Sequence, residues 1–171
     1  MELWDLYTSD GMKTDRVIDR YGKERIPKGL YHLSCHVLVR HTDGDILLML
    51  RAKSKREYGG CYECTSGGSA LSGETAQDCI RRELFEETGL NAGELELVDV
   101  GLSEKYRAIF YSYVTVVSCD KDSVRLLPGE TEGYKWIHPD ELDAFVRSGS
   151  GIDILTDRFR SYFLKNGLIK G

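Results

Sequence analysis

The stretch Gly67–Leu90 reads GGSALSGETAQDCIRRELFEETGL. It holds four glutamates, Glu74, Glu83, Glu86 and Glu87, and three of them fall within five residues. Thr75 to Thr88 contains good helix formers with no Pro or Gly, between Gly73 and the stop signal Gly89. Ala76, Ile80 and Leu84 recur at i, i+4 and i+8 and mark the buried stripe of that helix. Glu83, Glu86 and Glu87 stand at i, i+3 and i+4, so they share one face. Like charges at that spacing cost a helix a few tenths of a kcal/mol per pair. The macrodipole also disfavours acids at a helix C-terminus. Arg81 and Arg82 offer some compensation, and a hard divalent cation, which takes oxygen ligands, offers more. Three glutamates alone are equally readable as a solvated acidic helix end.

Their neighbours narrow the choice. From Gly68 the chain reads G-x5-E-x7-R-E-L-F-E-E-T-G-L, with Glu74, Arg82, Glu83, Glu86, Glu87, Gly89 and Leu90 at fixed positions. This resembles the signature of the Nudix hydrolases, with every fixed position filled. The resemblance implies an α/β/α sandwich with a mixed sheet. It implies cleavage of a diphosphate linkage in a nucleoside diphosphate derivative or related compound. It also implies Mg2+ or Mn2+ held by Glu83, Glu86, Glu87 and the Gly67 carbonyl. Arg82 would orient a catalytic glutamate, and Glu74 and Gly89 would be structural. The general base varies in the family between a helix glutamate and one from a later loop. Glu130 and Glu132, in LPGETEGYKWI, are candidates for the loop role; the other reading is a solvated turn at Pro128-Gly129. The chemistry itself is general: a metal ion neutralises the diphosphate oxygens and acidifies bound water, and a carboxylate takes the proton.

The rest of the chain supports a mixed α/β domain. With 171 residues, 41% hydrophobic and 30% charged, it is expected to form one globular domain. Residues 1–29 would be N-terminal strands and a loop, and residues 30–171 the core. Glu2 to Tyr7 and Lys13 to Ile18 read as strands around Thr8-Ser9-Asp10-Gly11, followed by a polar loop to Gly29. Leu33 to Val39 and Asp45 to Leu50 flank an Asp-Gly hairpin signal. Cys61 to Ser66, Glu94 to Val100 and Ala108 to Val117 are further strands. His138-Pro139 starts a helix with Leu142, Phe145 and Val146 as its stripe, ended by Gly149. A last helix carries Leu155, Phe159, Tyr162 and Phe163 and stops at Asn166-Gly167.

Charge and targeting exclude some classes. A net charge of −5 implies no basic face, so no nucleic-acid partner is expected. Apolar runs such as Ile46 to Leu50 are too short for a bilayer, and MELWDLYTSD lacks a secretion pattern, so the expected location is cytoplasmic. Five cysteines at irregular positions do not form a disulfide framework. Cys61 and Cys64 make one C-x-x-C; His32, Cys35 and His36 could complete a zinc site, or the thiols are simply partly buried on strands. Arg51, Lys53, Lys55 and Arg56 form a basic patch that reads as a phosphate contact or as a solubilising loop. Tyr106, Arg107 and Phe110 are open to two readings, a leaving-group contact or a plain strand role. Arg51, Lys55 and Arg107 are the substrate-binding candidates.

The wider chain is also similar to the isopentenyl-diphosphate isomerase branch of the superfamily, through WDLYTSDG, Leu30-Tyr31-His32 and RAKSKREYGGCYECTSGG. Isomerases of that branch have a degenerate signature and a cysteine where this chain has Gly67. The intact signature favours a hydrolase; the alternatives are an isomerase-like enzyme and a non-catalytic nucleotide sensor.

Overall fold

The computed structural model describes residues 2–63 and 66–171, with only the backbone of 153–156. The expected side-chain roles of Cys64 and Leu155 lie outside the described residues. The strands are β1 (Leu3–Tyr7), β2 (Lys13–Asp19), β3 (His32–His41), β4 (Ile46–Arg51), β5 (Tyr62–Glu63), β6 (Ser66–Ser69), β7 (Leu95–Ser103), β8 (Ala108–Val117) and β9 (Thr131–Ile137). The helices are α1 (Ala76–Thr88), α2 (Leu142–Arg147) and α3 (Asp153–Lys165).

Seven strands make one mixed sheet in the order β5-β4-β3-β8-β7, with β6 added to β3 and β9 to β4. β3 runs parallel to β8 in unbroken register from His32–Ala108 to His41–Val117. Successive side chains point to opposite faces, and because both faces of the sheet are covered β3 and β4 are buried almost continuously. Cys35, Val37 and Val39 of β3, with Leu47 and Met49 of β4, pack against Cys79, Ile80 and Leu84 of α1. Leu38, Ile46 and Leu48 point the other way, onto Leu142, Phe145, Phe159 and Phe163 of α2 and α3. The result is the expected α/β/α layering. No helix among the described residues is long and apolar enough to cross a membrane.

Two sequence expectations change. The Asp43-Gly44 turn forms, with Gly44 at φ 103°, yet β3 and β4 pair only at Arg40–Ile46. Beyond that point they part. β3 takes β6 as its neighbour from Ser34 to Val37, and β4 takes β9 and β5. Second, Thr131–Ile137 is a strand, where a loop was expected. Tyr134 and Trp136 pack on the α1 side and Ile137 on the other, a period of two hidden by Gly129 and Gly133.

The hairpin β1–β2 stands apart as its own small sheet. Tyr7 and Tyr31 exchange backbone hydrogen bonds of 2.8 and 2.9 Å. The buried Asp5 carboxylate accepts from Ser72 Oγ at 2.8 Å, Gly73 N–H at 2.7 Å and Lys13 Nζ at 2.6 Å. These bonds tie the hairpin to the loop that leads into α1.

Candidate functional site

α1 begins as its sequence dictates. Thr75 caps it, accepting from the Asp78 N–H while the Asp78 carboxylate accepts from the Thr75 N–H, a reciprocal capping box. Gly89, at φ 72°, closes it with a 2.8 Å bond from its N–H to the Phe85 carbonyl. Ile80 and Leu84 are fully buried, each contributing about 1.5–3 kcal/mol of burial. Cys79 and Thr88 are buried beside them, extending the expected stripe. That docking turns the acidic face toward β6.

Arg82 organises the acids. Its Nε and Nη2 donate to the two oxygens of Glu74 at 2.6 and 2.9 Å. Its Nη1 reaches Glu83 at 2.8 Å and Glu86 at 3.2 Å, and Nη2 also donates to the Ser69 carbonyl at 3.3 Å. Arg81 does not join them; it donates to the carbonyls of Ala92 and Gly93. Glu87 is turned away from Arg82 and accepts from Ser66 Oγ and the Gly67 N–H. Burial pushes the Glu87 carboxyl up to about 8; Glu63 and Glu83 add to the rise, against the two donors. Burial also raises Glu83, against the Arg82 guanidinium. Glu74 goes the other way: burial would raise it, but Arg82 and the Leu71 N–H hold it below the usual range.

β6 passes very close to this face. A Cβ at Gly68 would sit 2.2 Å from Glu83 Oε1, so only glycine leaves the carboxylate its place. A Cβ at Gly67 would sit 2.5 Å from the Cys35 carbonyl and 2.5 Å from His36 Nδ1. The two glycines and the acids form one wall of a cleft of about 820 Å3.

Glu130 and Lys55 stand on that cleft too, and pair with each other. Glu132 does not: its carboxylate accepts from the Lys53 N–H at 3.2 Å. Lys53 and Arg56 are exposed and do not line that cleft. Arg51 donates to Glu63 at 2.8 Å and faces a smaller neighbouring cavity. Arg107, expected on the substrate, lies elsewhere: it pairs with Glu104 at 2.6 Å and lines a groove with Trp4 and Arg25. Its positive φ of 50° places its carbonyl where the ring Nδ1–H of His32 donates to it at 2.9 Å. Tyr106 and Phe110 line the small cavity beside Arg51.

Among the described residues, His32, Cys35 and His36 do not come together as a zinc site. Cys35 is buried against α1, whereas His32 stacks on Trp4 at 4.0 Å, bonded to Arg107. Sequence reasoning missed Ser66, Glu63 and the cleft residues Glu2, Arg20 and Tyr21 of the N-terminal segment. Each meets the site through contacts distant in sequence, for which no local spacing exists.

Among the described residues, no three acidic, His or Cys side chains stand gathered as a finished metal cage. The reason is visible: Arg82 draws Glu83 and Glu86, and Ser66 draws Glu87. The donors nevertheless fit a hard divalent cation. All are oxygens, and the crowded, partly buried carboxylates of Glu83 and Glu87 carry raised proton affinity, a charge deficit that such an ion relieves.

A family model described as the NUDIX domain matches residues 30–154. The chain belongs to the Nudix family. An uncharacterized Nudix hydrolase of Listeria innocua is 27% identical over 99% of this chain and 95% of its own length. An isopentenyl-diphosphate Delta-isomerase of Photorhabdus laumondii is 29% identical over 91% of this chain and 88% of its own. In fold, a Deinococcus radiodurans crystal structure matches with a TM-score of 0.71 at 19% identity, over 94% of this chain and 99% of that one. The chain is therefore a Nudix-type hydrolase, with isomerases among its relatives.

Proposed function

We propose that this Nudix hydrolase cleaves the diphosphate linkage of a nucleoside diphosphate derivative or a related small molecule, with Mg2+ or Mn2+. The observation that carries the reading is the Arg82 clamp, which presents Glu83 and Glu86 beside the glycine wall of an open cleft. Glu83, Glu86, Glu87 and the Gly67 carbonyl would hold the metal. When bound, the ion supplies charge neutralisation to the diphosphate and acidifies water.

The chain's own residues do the rest. The Arg82–Glu74 pair fixes the rotamers of the acids, so little reorganisation is needed at reaction. Gly67 and Gly68 leave room for the Cys35 carbonyl, the His36 ring and the Glu83 carboxylate beside the strand. Lys55 faces the cleft as a compact cation for phosphoryl oxygens. Glu130, on the same cleft, is the proposed proton acceptor.

The isomerase alternative is disfavoured at Gly67. The thiol it requires is absent, and a Cβ there would collide with the Cys35 carbonyl at 2.5 Å. A broad panel of diphosphates with Mg2+ or Mn2+, resolved by chromatography, tests the reading against Glu86→Gln and Glu87→Gln. Turnover that disappears in the variants supports it. An isomerised product with intact diphosphate, or tight nucleotide binding without turnover, overturns it.

A further inference from the structure

Arg158, on α3, lies outside the residues that the family model matches. Its guanidinium lies over the Phe110 ring, 3.6 Å from the centroid. Its Nη1 donates to His36 Nε2 at 2.6 Å. An arginine keeps its proton, so His36 accepts there and is neutral, with its own proton on Nδ1. Among the described residues, no carboxylate oxygen lies within 4.0 Å of Arg158. Asp99 acts on it only from farther away and lines a second groove with it. Here is a largely buried cation whose partners are a neutral ring and an aromatic face.

It faces a cavity of about 210 Å3, also lined by His36, Arg51, Tyr58, Tyr106 and Phe110. That is room for roughly seven waters at about 30 Å3 each. Glu57 and Glu63 also reach its wall. Glu63 is engaged with Arg51 Nη1, and the buried Arg51 Nε has no hydrogen-bond partner among the described residues. His36 and Gly67 belong to both this cavity and the catalytic cleft, so the two spaces meet at the proposed metal-binding carbonyl.

We propose that this cavity is an anion subsite, in which Arg158 receives a phosphoryl group of the substrate lying beyond Gly67 from the catalytic glutamates. This rests on the hydrolase reading and deepens it: the favoured substrates carry a phosphoryl group on the far side of the bond that is cleaved. A guanidinium in a water-poor wall binds phosphoryl oxygens through short charge-assisted bonds. Phe110 and His36 hold it in place, so little side-chain freedom is lost on binding.

The test needs no turnover. Metal-free protein is titrated with pyrophosphate and with inorganic phosphate while the arginine Nε–H NMR signals are followed, Arg158 being assigned with Arg158→Lys. A saturable shift of the Arg158 signal is expected, with affinity at least tenfold weaker in Arg158→Met and intermediate in Arg158→Lys. In turnover of the best diphosphate substrate, the loss should fall on KM rather than kcat. An unmoved Arg158 signal in the wild-type protein overturns the subsite, as does unchanged pyrophosphate affinity in a folded Arg158→Met. Binding at Arg158 without any hydrolysis would sink the hydrolase reading alone; hydrolysis without binding at Arg158 would sink the subsite alone.

Discussion

Arg82 grips Glu74 through two parallel hydrogen bonds, eight residues apart in the chain and beside the face proposed to hold metal. The forked geometry is specific to arginine. Lysine would keep the charge and lose the second bond, freeing Glu83 and Glu86 to reorient. Arg82→Lys is therefore expected to lower activity or metal affinity by about 10- to 100-fold, the usual cost of removing a group that orients metal ligands. Steady-state kinetics across a Mg2+ series would show it; wild-type values at every Mg2+ concentration would refute the clamp.

Gly68 offers a sharper probe. Alanine there would press its methyl within 2.2 Å of Glu83 Oε1. Overpacking of this kind costs about 1–3 kcal/mol, and here it also displaces a proposed metal ligand. Gly68→Ala should lose both stability and activity, whereas Gly101→Ala, whose Cβ meets only Asp99 at 3.7 Å, should lose neither. Urea denaturation and an activity assay on the pair decide it.

Divalent cation should stabilise the fold. A ligand at a hundred times its Kd adds about 2.7 kcal/mol, which for a chain of this length is a Tm rise of roughly 5–10 °C. Thermal melts with and without Mg2+ measure this directly. Glu87→Gln should abolish most of the rise; an equal rise in that variant would remove Glu87 from the ligand set.

His32 predicts a pH dependence. Burial pushes it from 6.5 down to about 4, although the Arg107 carbonyl pulls the other way. The unfolded chain takes up this proton near pH 6.5, and the folded protein refuses it until about pH 4. The stability contributed by the neutral ring is complete above pH 6.5 and declines by roughly 1.4 kcal/mol per pH unit below it, until it is exhausted near pH 4. Denaturation of wild type and His32→Gln at several pH values isolates this slope as a difference. Parallel curves would show that His32 contributes none of it.

How much of this was legible in the sequence follows from the range of each contact. α1, its Gly89 stop and its shared acidic face are local, and local spacing reveals them. β3 and β8 follow from their β-branched and aromatic residues, and β4 from its apolar run after the Asp43-Gly44 turn. β9 was hidden because Gly129 and Gly133 punctuate it, and its pairing with β4, far back in the chain, is what makes it a strand. Arg107 could not be placed from sequence because its neighbours Tyr106 and Phe110 face one cavity while its own side chain turns to Glu104. Arg158 meets His36 across 122 residues, a distance over which a single sequence has no periodicity to read.

Asp5 gives the chain a boundary that family resemblance alone would misplace. The signature loop at Ser72 and Gly73 stands on a carboxylate from the first strand of the chain. A shortened protein keeping only residues 30–154 would retain every signature residue, yet it would lose the footing of the loop and the arginine of α3 together. Anyone transplanting or minimising this enzyme must carry the hairpin and the last helix as working parts, for the portable unit is larger than the recognisable one.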